Sequence, residues 1–145
     1  MDKEIKNRVS PVFWVVAVIA MLWNLGGMAA FIYQSVDFEG AIASLPEHQL
    51  HWMQSMPRWL MFVFGAAVST AVLGNIGLIM RRKWCLALFA ISLLAVLIQM
   101  GYSLVIADGL HVLDAGGVAF NVTIIVVAGF LVWYSYALNT RGQLM

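Results

Sequence analysis

The residues best suited to chemistry lie in two short polar segments of an otherwise apolar chain. His48 and His51 are three residues apart and Glu47 lies four residues before His51, so a helix would place them close together. A second segment repeats the step of three with Asp108, His111 and Asp114. Imidazole and carboxylate groups suit zinc and similar metals, so one hypothesis is a metal site formed by His48, His51 and His111.

The alternative is a solvated polar face, and we favour it. Two histidines at this spacing define a metal site only when a third ligand is held beside them. The candidate third ligands, His111 and Asp108, belong to a different loop, and nothing in the sequence requires the two loops to meet. We therefore predict no bound metal and keep the site as the open alternative.

No other residue pattern in the chain indicates catalysis or a built-in cofactor. The single cysteine, Cys85, excludes an internal disulfide and a paired-thiol redox centre. The long apolar runs contain no histidine to serve as an axial ligand of a membrane haem. They also lack the acids and bases that mark proton-coupled transport. The sequence thus predicts a protein that is not an enzyme.

The composition identifies lipid as the solvent of this chain. Its 145 residues are 63% hydrophobic and 10% charged, whereas soluble domains are about 45–50% apolar and about 25% charged. About 20 apolar residues cross a bilayer as a helix. Four runs qualify, and we predict an all-α polytopic membrane protein with one transmembrane domain over residues 1–145 and helices at about 12–33, 59–80, 84–107 and 117–138.

The charges predict the orientation of these helices. The net charge of +1 gives no reason to expect nucleic acid as a partner. Arg58 alone among the eight basic residues falls on one side of the predicted membrane. The positive-inside rule therefore predicts a bacterial inner-membrane protein with both termini in the cytoplasm, and the order of spans predicts an up-down four-helix bundle. The cytoplasmic cations would be Lys3, Lys6, Arg8, Arg81, Arg82, Lys83 and Arg141.

The first external loop contains the histidine pair and reads as a short helix at about 45–56. Ser44 and Glu47 have the spacing of a capping box, with Ser44 as the N-cap residue. Pro57 breaks the segment before the second span. Apolar residues in the segment predict an interfacial helix that partly covers the mouth of the bundle.

Each predicted span carries one carboxamide. At about 1.5 Å per residue, Asn24, Gln99 and Asn121 lie about 18, 22 and 25 Å from the cytoplasmic side, and Asn75 lies about 8 Å from it. In lipid each amide needs a partner, so all four should face inward. We favour hydrogen bonding between helices as their role. The alternative is a ligand site formed by Asn24, Gln99 and Asn121.

Several short motifs resemble a family of small four-helix bacterial inner-membrane proteins, usually labelled hypothetical and sometimes labelled sugar transporter. The resemblance extends over almost the whole chain and implies the same four-helix topology. It does not imply a reaction, and His48 and His51 lie outside the shared pattern. The motifs are Leu22–Leu25, Pro57–Trp59, Arg81–Trp84, Ile91–Leu94, Ile98–Met100 and Leu131–Tyr134.

These observations predict a non-enzymatic accessory or binding subunit of the inner membrane. Two alternatives stay open: a small oligomeric transporter, and a redox accessory protein that binds a lipid or a quinone. We predict no cofactor other than such a lipid or quinone. The expected partners are membrane lipids and either further copies of the chain or a larger membrane complex.

Overall fold

The computed structural model describes residues 8–145 and confirms the all-α fold class. These residues form seven α-helices and no strand. Lys3 and Lys6, which the orientation prediction used, lie outside the described residues. The helices are α1 Pro11–Val36, α2 Phe38–Ile42, α3 Glu47–Gln54, α4 Trp59–Ile79, α5 Trp84–Gly101 with a π-helical continuation Tyr102–Ile106, α6 Gly109–Val112, and α7 Ala115–Thr140.

Four of these helices, α1, α4, α5 with its continuation, and α7, are long and apolar enough to cross a membrane. Local capping explains where α7 departs from the predicted bounds. It begins at Ala115, two residues early, because Asp114 accepts a hydrogen bond from the Gly117 amide at 2.7 Å. The outward surface is strongly apolar, as the 79% exposed Phe62 illustrates. Such a surface requires lipid or a partner to cover it.

Each long helix packs along the next one in the chain. α4 packs against α5, α1 packs against α4, and α7 packs against α5. Glycines allow α4 and α5 to approach closely: a Cβ atom at Gly74 would lie 2.9 Å from the Phe89 ring, and one at Gly77 would lie 2.6 Å from the Trp84 ring. Helices α1 and α7 also meet, with the Trp23 and Phe120 rings 6.2 Å apart.

We call the end that carries the Met80–Lys83 turn the turn end. The C-terminal residues pack into it. The Met145 amide donates to the Arg81 carbonyl at 2.7 Å, and the Lys83 amide donates to the Met145 carbonyl at 2.9 Å. Leu144 is buried in the same cluster as Phe13 and Cys85. The tail is therefore part of the packed structure, not an extension from it.

We call the opposite end, which carries α2, α3 and α6, the loop end. The predicted helix at 45–56 is shorter here and spans Glu47–Gln54. The predicted capping box is wrong, because Pro46 occupies the N-cap position, leaving Glu47 as the first helical residue. Leu45 still donates its amide to the Ile42 carbonyl at 3.0 Å, so the chain before Pro46 continues the turn that ends α2.

Candidate functional site

A cavity of about 720 Å³ lies between the four long helices. It reaches from α2 and α3 at the loop end down to Ala71, Phe89 and Leu131. Sites for small molecules are typically apolar cavities of about 300–1,000 Å³ with a few polar groups, so this cavity has a suitable size and composition. Its polar lining consists of Asn24, Gln34, Gln49, Trp52, Ser92, Gln99, Ser103 and Asn121.

The cavity is covered at the loop end by a layer that is attached to the long helices. Ile42 of α2 is 2% exposed and lines the cavity beneath this cover. Trp52 of α3 donates its indole N–H to the Ala107 carbonyl at 2.7 Å. Its ring packs against Gly109, where a Cβ atom would lie 2.9 Å from the ring and 2.5 Å from the Ser103 carbonyl oxygen. Gly109 thus permits the contact that holds α3 over the cavity.

Asn24 and Asn75 form the hydrogen bond between helices that we favoured for the span amides. Asn24 Nδ2 lies 3.2 Å from Asn75 Oδ1 and 3.4 Å from the Ala71 carbonyl oxygen. Asn75 donates from Nδ2 to the Ala17 carbonyl oxygen at 3.0 Å. Both residues are buried. Although Asn24 lines the cavity, its amide hydrogens already have partners within the protein.

The depths estimated from sequence separate Asn24 from Asn75, whereas in the structure their side-chain amides are in contact. Helical side chains tilt toward the N-terminus of their own helix. Because α1 and α4 run in opposite directions, Asn24 leans toward the turn end and Asn75 leans toward the loop end. The two amides therefore meet, although counting residues from the helix ends separates their backbones by about two turns.

Gln99 and Asn121 remain free to bind another molecule. Both are half-buried and line the cavity. Asn121 donates from Nδ2 to the Gly117 carbonyl oxygen at 2.8 Å within its own helix, which leaves its Oδ1 without a donor from residues 8–145. The Gln99 amide makes no hydrogen bond to any of these residues. The structure thus brings Asn24, Gln99 and Asn121 to one cavity. The Asn24 amide hydrogens are used within the protein, whereas the Gln99 amide and the Asn121 Oδ1 have no partner among residues 8–145.

The histidines lie outside the cavity lining, and two of the three, His51 and His111, each contact a carboxylate. His51 Nε2 is 3.8 Å from a Glu47 carboxylate oxygen, and both side chains are mostly exposed. His111 Nδ1 contacts the Asp108 carboxylate in the same way at the protein surface. Across residues 8–145, no three His, Cys, Asp or Glu side chains are grouped to hold a metal ion. His48, His51 and His111 are therefore not brought together as one ligand set.

Sequence reasoning did not identify Gln34, Gln49, Trp52 or Ser103 as residues of this site. Trp52 was expected to lie in the membrane interface, and its bond to the Ala107 carbonyl depends on a contact between distant segments. Helix α2 was also missed. Its one signal is Asp37, which accepts a hydrogen bond from the Gly40 amide at 2.9 Å as the N-cap residue.

Fold and site together define an all-α protein whose four long helices are apolar enough for a membrane and line a mainly apolar cavity. No family model, curated protein or solved structure matches the chain significantly.

Proposed function

We propose that the chain is a multi-pass protein of the bacterial inner membrane, folded as an up-down four-helix bundle with both termini in the cytoplasm. The apolar lengths of α1, α4, α5 and α7 support the spans. The cations of the Met80–Lys83 turn support a cytoplasmic turn end. On this topology, α2, α3 and α6 lie on the periplasmic side. The motifs that resemble those of small four-helix bacterial inner-membrane proteins agree with the same proposal.

Within this topology, we propose a non-enzymatic binding subunit that holds a lipid-soluble molecule between its helices. The observation that carries the proposal is the cavity of about 720 Å³ with its mainly apolar lining. A molecule that fills an apolar space of this size gains packing contacts with its walls, so an occupant should stabilise the fold as well as being bound. The occupant we expect is a lipid or a quinone taken from the surrounding membrane.

The lining does not support catalysis by its own side chains. Acid–base and nucleophilic mechanisms need a titratable or activated group within reach of the bound molecule. Among the described residues, the side chains that line the cavity include no Asp, Glu, Lys, Arg, His or Cys. A role in holding, presenting or handing over the molecule to a partner protein fits these groups better than a reaction does.

The test is to identify what remains bound after purification in a mild detergent. Native mass spectrometry should detect an adduct that organic extraction removes, and analysis of the extract should identify a lipid or quinone. Gly26→Leu should reduce this adduct, because Gly26 lines the cavity and a Cβ atom there meets nothing within 4 Å. Gly26 lies at the exposed edge of the lining, so the leucine side chain has open space beside the cavity and causes no backbone clash.

Gly129→Leu is the matched control for this substitution. Gly129 is also a glycine inside a long helix with open space for a Cβ atom, but it does not line the cavity. Each substitution gains about the same helix propensity, roughly 1 kcal/mol at most. Bare protein in the wild type, or equal adducts in both variants, would contradict a binding function for the cavity.

A further inference from the structure

We infer that the cavity selects an amphiphile with an uncharged head group, whose carbonyl or hydroxyl groups bond to Gln99 and Asn121. This inference rests on the proposed binding function and specifies its ligand class. It follows from two independent features of the lining: the groups that could neutralise charge are absent from it, and hydrogen-bonding groups without a partner are present in it.

The first feature is the absence of any ionisable side chain from the lining formed by residues 8–145. Ionisable groups of the loop end lie outside this lining: Glu47 is paired with His51, Asp108 with His111, and Asp114 accepts a hydrogen bond from the Gly117 amide. A charged head inside the cavity would therefore lack a counter-ion. Placing an unpaired charge in a membrane interior costs enough to weaken binding by about a hundredfold.

The second feature is a set of unsatisfied carboxamides: Gln34 and Gln49 nearer the loop end, and Gln99 and Asn121 within the long helices. Gln99 offers N–H donors and a carbonyl acceptor. Asn121 offers its Oδ1 acceptor and one N–H, because the other N–H donates to the Gly117 carbonyl. A carbonyl on the ligand can accept from Gln99, and a hydroxyl can donate to Asn121. Ser103, which also lines the cavity toward the loop end, adds a hydroxyl without a partner among residues 8–145.

Chain length contributes little to selection, because the tail of the ligand moves from one apolar solvent to another when it leaves the bilayer. The head group therefore decides which membrane molecule is held. The chemistry fits a glyceride or a quinone, both of which carry neutral oxygen groups on an apolar chain. It does not fit a phospholipid, an ionised fatty acid or an alkyl amine.

The experiment uses the full chain in lipid nanodiscs and a set of photoactivatable probes that share one alkyl chain. One probe carries a glycerol ester, a second a benzoquinone, a third a quaternary ammonium and a fourth a sulfonate, so the last two keep their charge at every pH. Labelled positions are read by peptide mass spectrometry. We expect the two neutral probes to label cavity residues. The charged probes should label them about a hundredfold less efficiently at equal concentration.

The outcomes separate this inference from the proposed function. Labelling of the cavity by all four probes with equal efficiency, or preferentially by a charged one, overturns the head-group inference and leaves the binding function standing. Failure of every probe to label the cavity overturns both. A preference between the glyceride and the quinone, with both above the charged probes, supports the inference and identifies the source of the ligand.

Variants of the two amides test their part directly. Gln99→Leu and Asn121→Leu should each weaken labelling by the neutral probes about three- to twentyfold, which corresponds to one lost hydrogen bond in a membrane. A probe with the same chain and no head group should label both variants as well as wild type, which shows that the cavity is intact. Thr123→Val, an exposed change on the same helix as Asn121, is the control. Unchanged labelling of both leucine variants would overturn the assignment.

Discussion

Replacing Asn75 with leucine should destabilise the protein by about 1–3 kcal/mol. Asn75 is fully buried, and its amide both donates to the Ala17 carbonyl oxygen and accepts from Asn24. Hydrogen bonds between helices in a membrane contribute about 0.6 kcal/mol on average and up to about 1.7 kcal/mol, and this substitution removes two. Leucine has the same branched shape and number of side-chain heavy atoms and is somewhat larger, so the loss should not come from a new void.

A double-mutant cycle with Asn24→Leu isolates the bond that the two amides share. The two single changes each remove that bond, whereas the double change removes it once, so the coupling energy should be about 0.6–1.7 kcal/mol. Unfolding in mixed micelles, followed by circular dichroism during titration with a denaturing detergent, measures the three losses. Thr123→Val removes a hydroxyl that bonds only within its own exposed helix and should cost almost nothing. Strictly additive losses for Asn24 and Asn75 would refute the reasoning.

Three further perturbations test other parts of the structure. Trp52→Phe keeps an aromatic ring but loses the 2.7 Å hydrogen bond to the Ala107 carbonyl. The backbone amides of α3 should therefore exchange hydrogen faster, by an amount equivalent to about 0.5–1.5 kcal/mol. Trp133→Phe, at the exposed surface, is the control and should leave that exchange unchanged. Leu144→Ala should lower the melting temperature and cost about 1–3 kcal/mol, because Leu144 is 3% exposed, whereas Met145→Ala at the 65% exposed neighbouring side chain should not. In a Cys85→Ala background, an impermeant maleimide should label Glu47→Cys in intact spheroplasts and Arg82→Cys only in opened vesicles; the reverse pattern would contradict the proposed orientation.

The long helices could be predicted from sequence because their signal is continuous and local. Each apolar run is interrupted only by residues that a helix tolerates, and the ends carry ordinary signals such as Pro11 at the first position of α1. The short helices lacked such a signal. From sequence alone, either Ser44 or Pro46 could be the N-cap residue of α3. In the structure the Leu45 amide bonds to the Ile42 carbonyl, so residues 42–45 form a turn and Pro46 is the N-cap residue.

The cavity could be predicted only in part. The sequence places Asn24, Gln99 and Asn121 in the same half of the membrane, and the structure finds all three at one cavity. The sequence could not show which amides would form hydrogen bonds with each other, because this depends on how the side chains of neighbouring helices tilt toward one another. Residue counting along each helix separates Asn24 from Asn75, while tilt brings their amide atoms to 3.2 Å. The hydrogen bond from Trp52 to Ala107 joins segments that are distant in the chain, so no local sequence pattern indicates it.

The two ends of the molecule differ in how completely their polar and apolar groups are satisfied. Toward the turn end, glycines let α4 and α5 pack closely, the Asn24 and Asn75 amides bond across helices, and the C-terminal tail closes the surface. Toward the loop end, Gln99 and Asn121 keep unused polar atoms beside an open volume. Tight packing toward the turn end can supply the folding stability that the less tightly packed loop end does not. On the proposed binding function, such a division would let the loop-end region admit and release a molecule while the helices stay assembled. For the same reason Gly26→Leu should disturb binding more than folding.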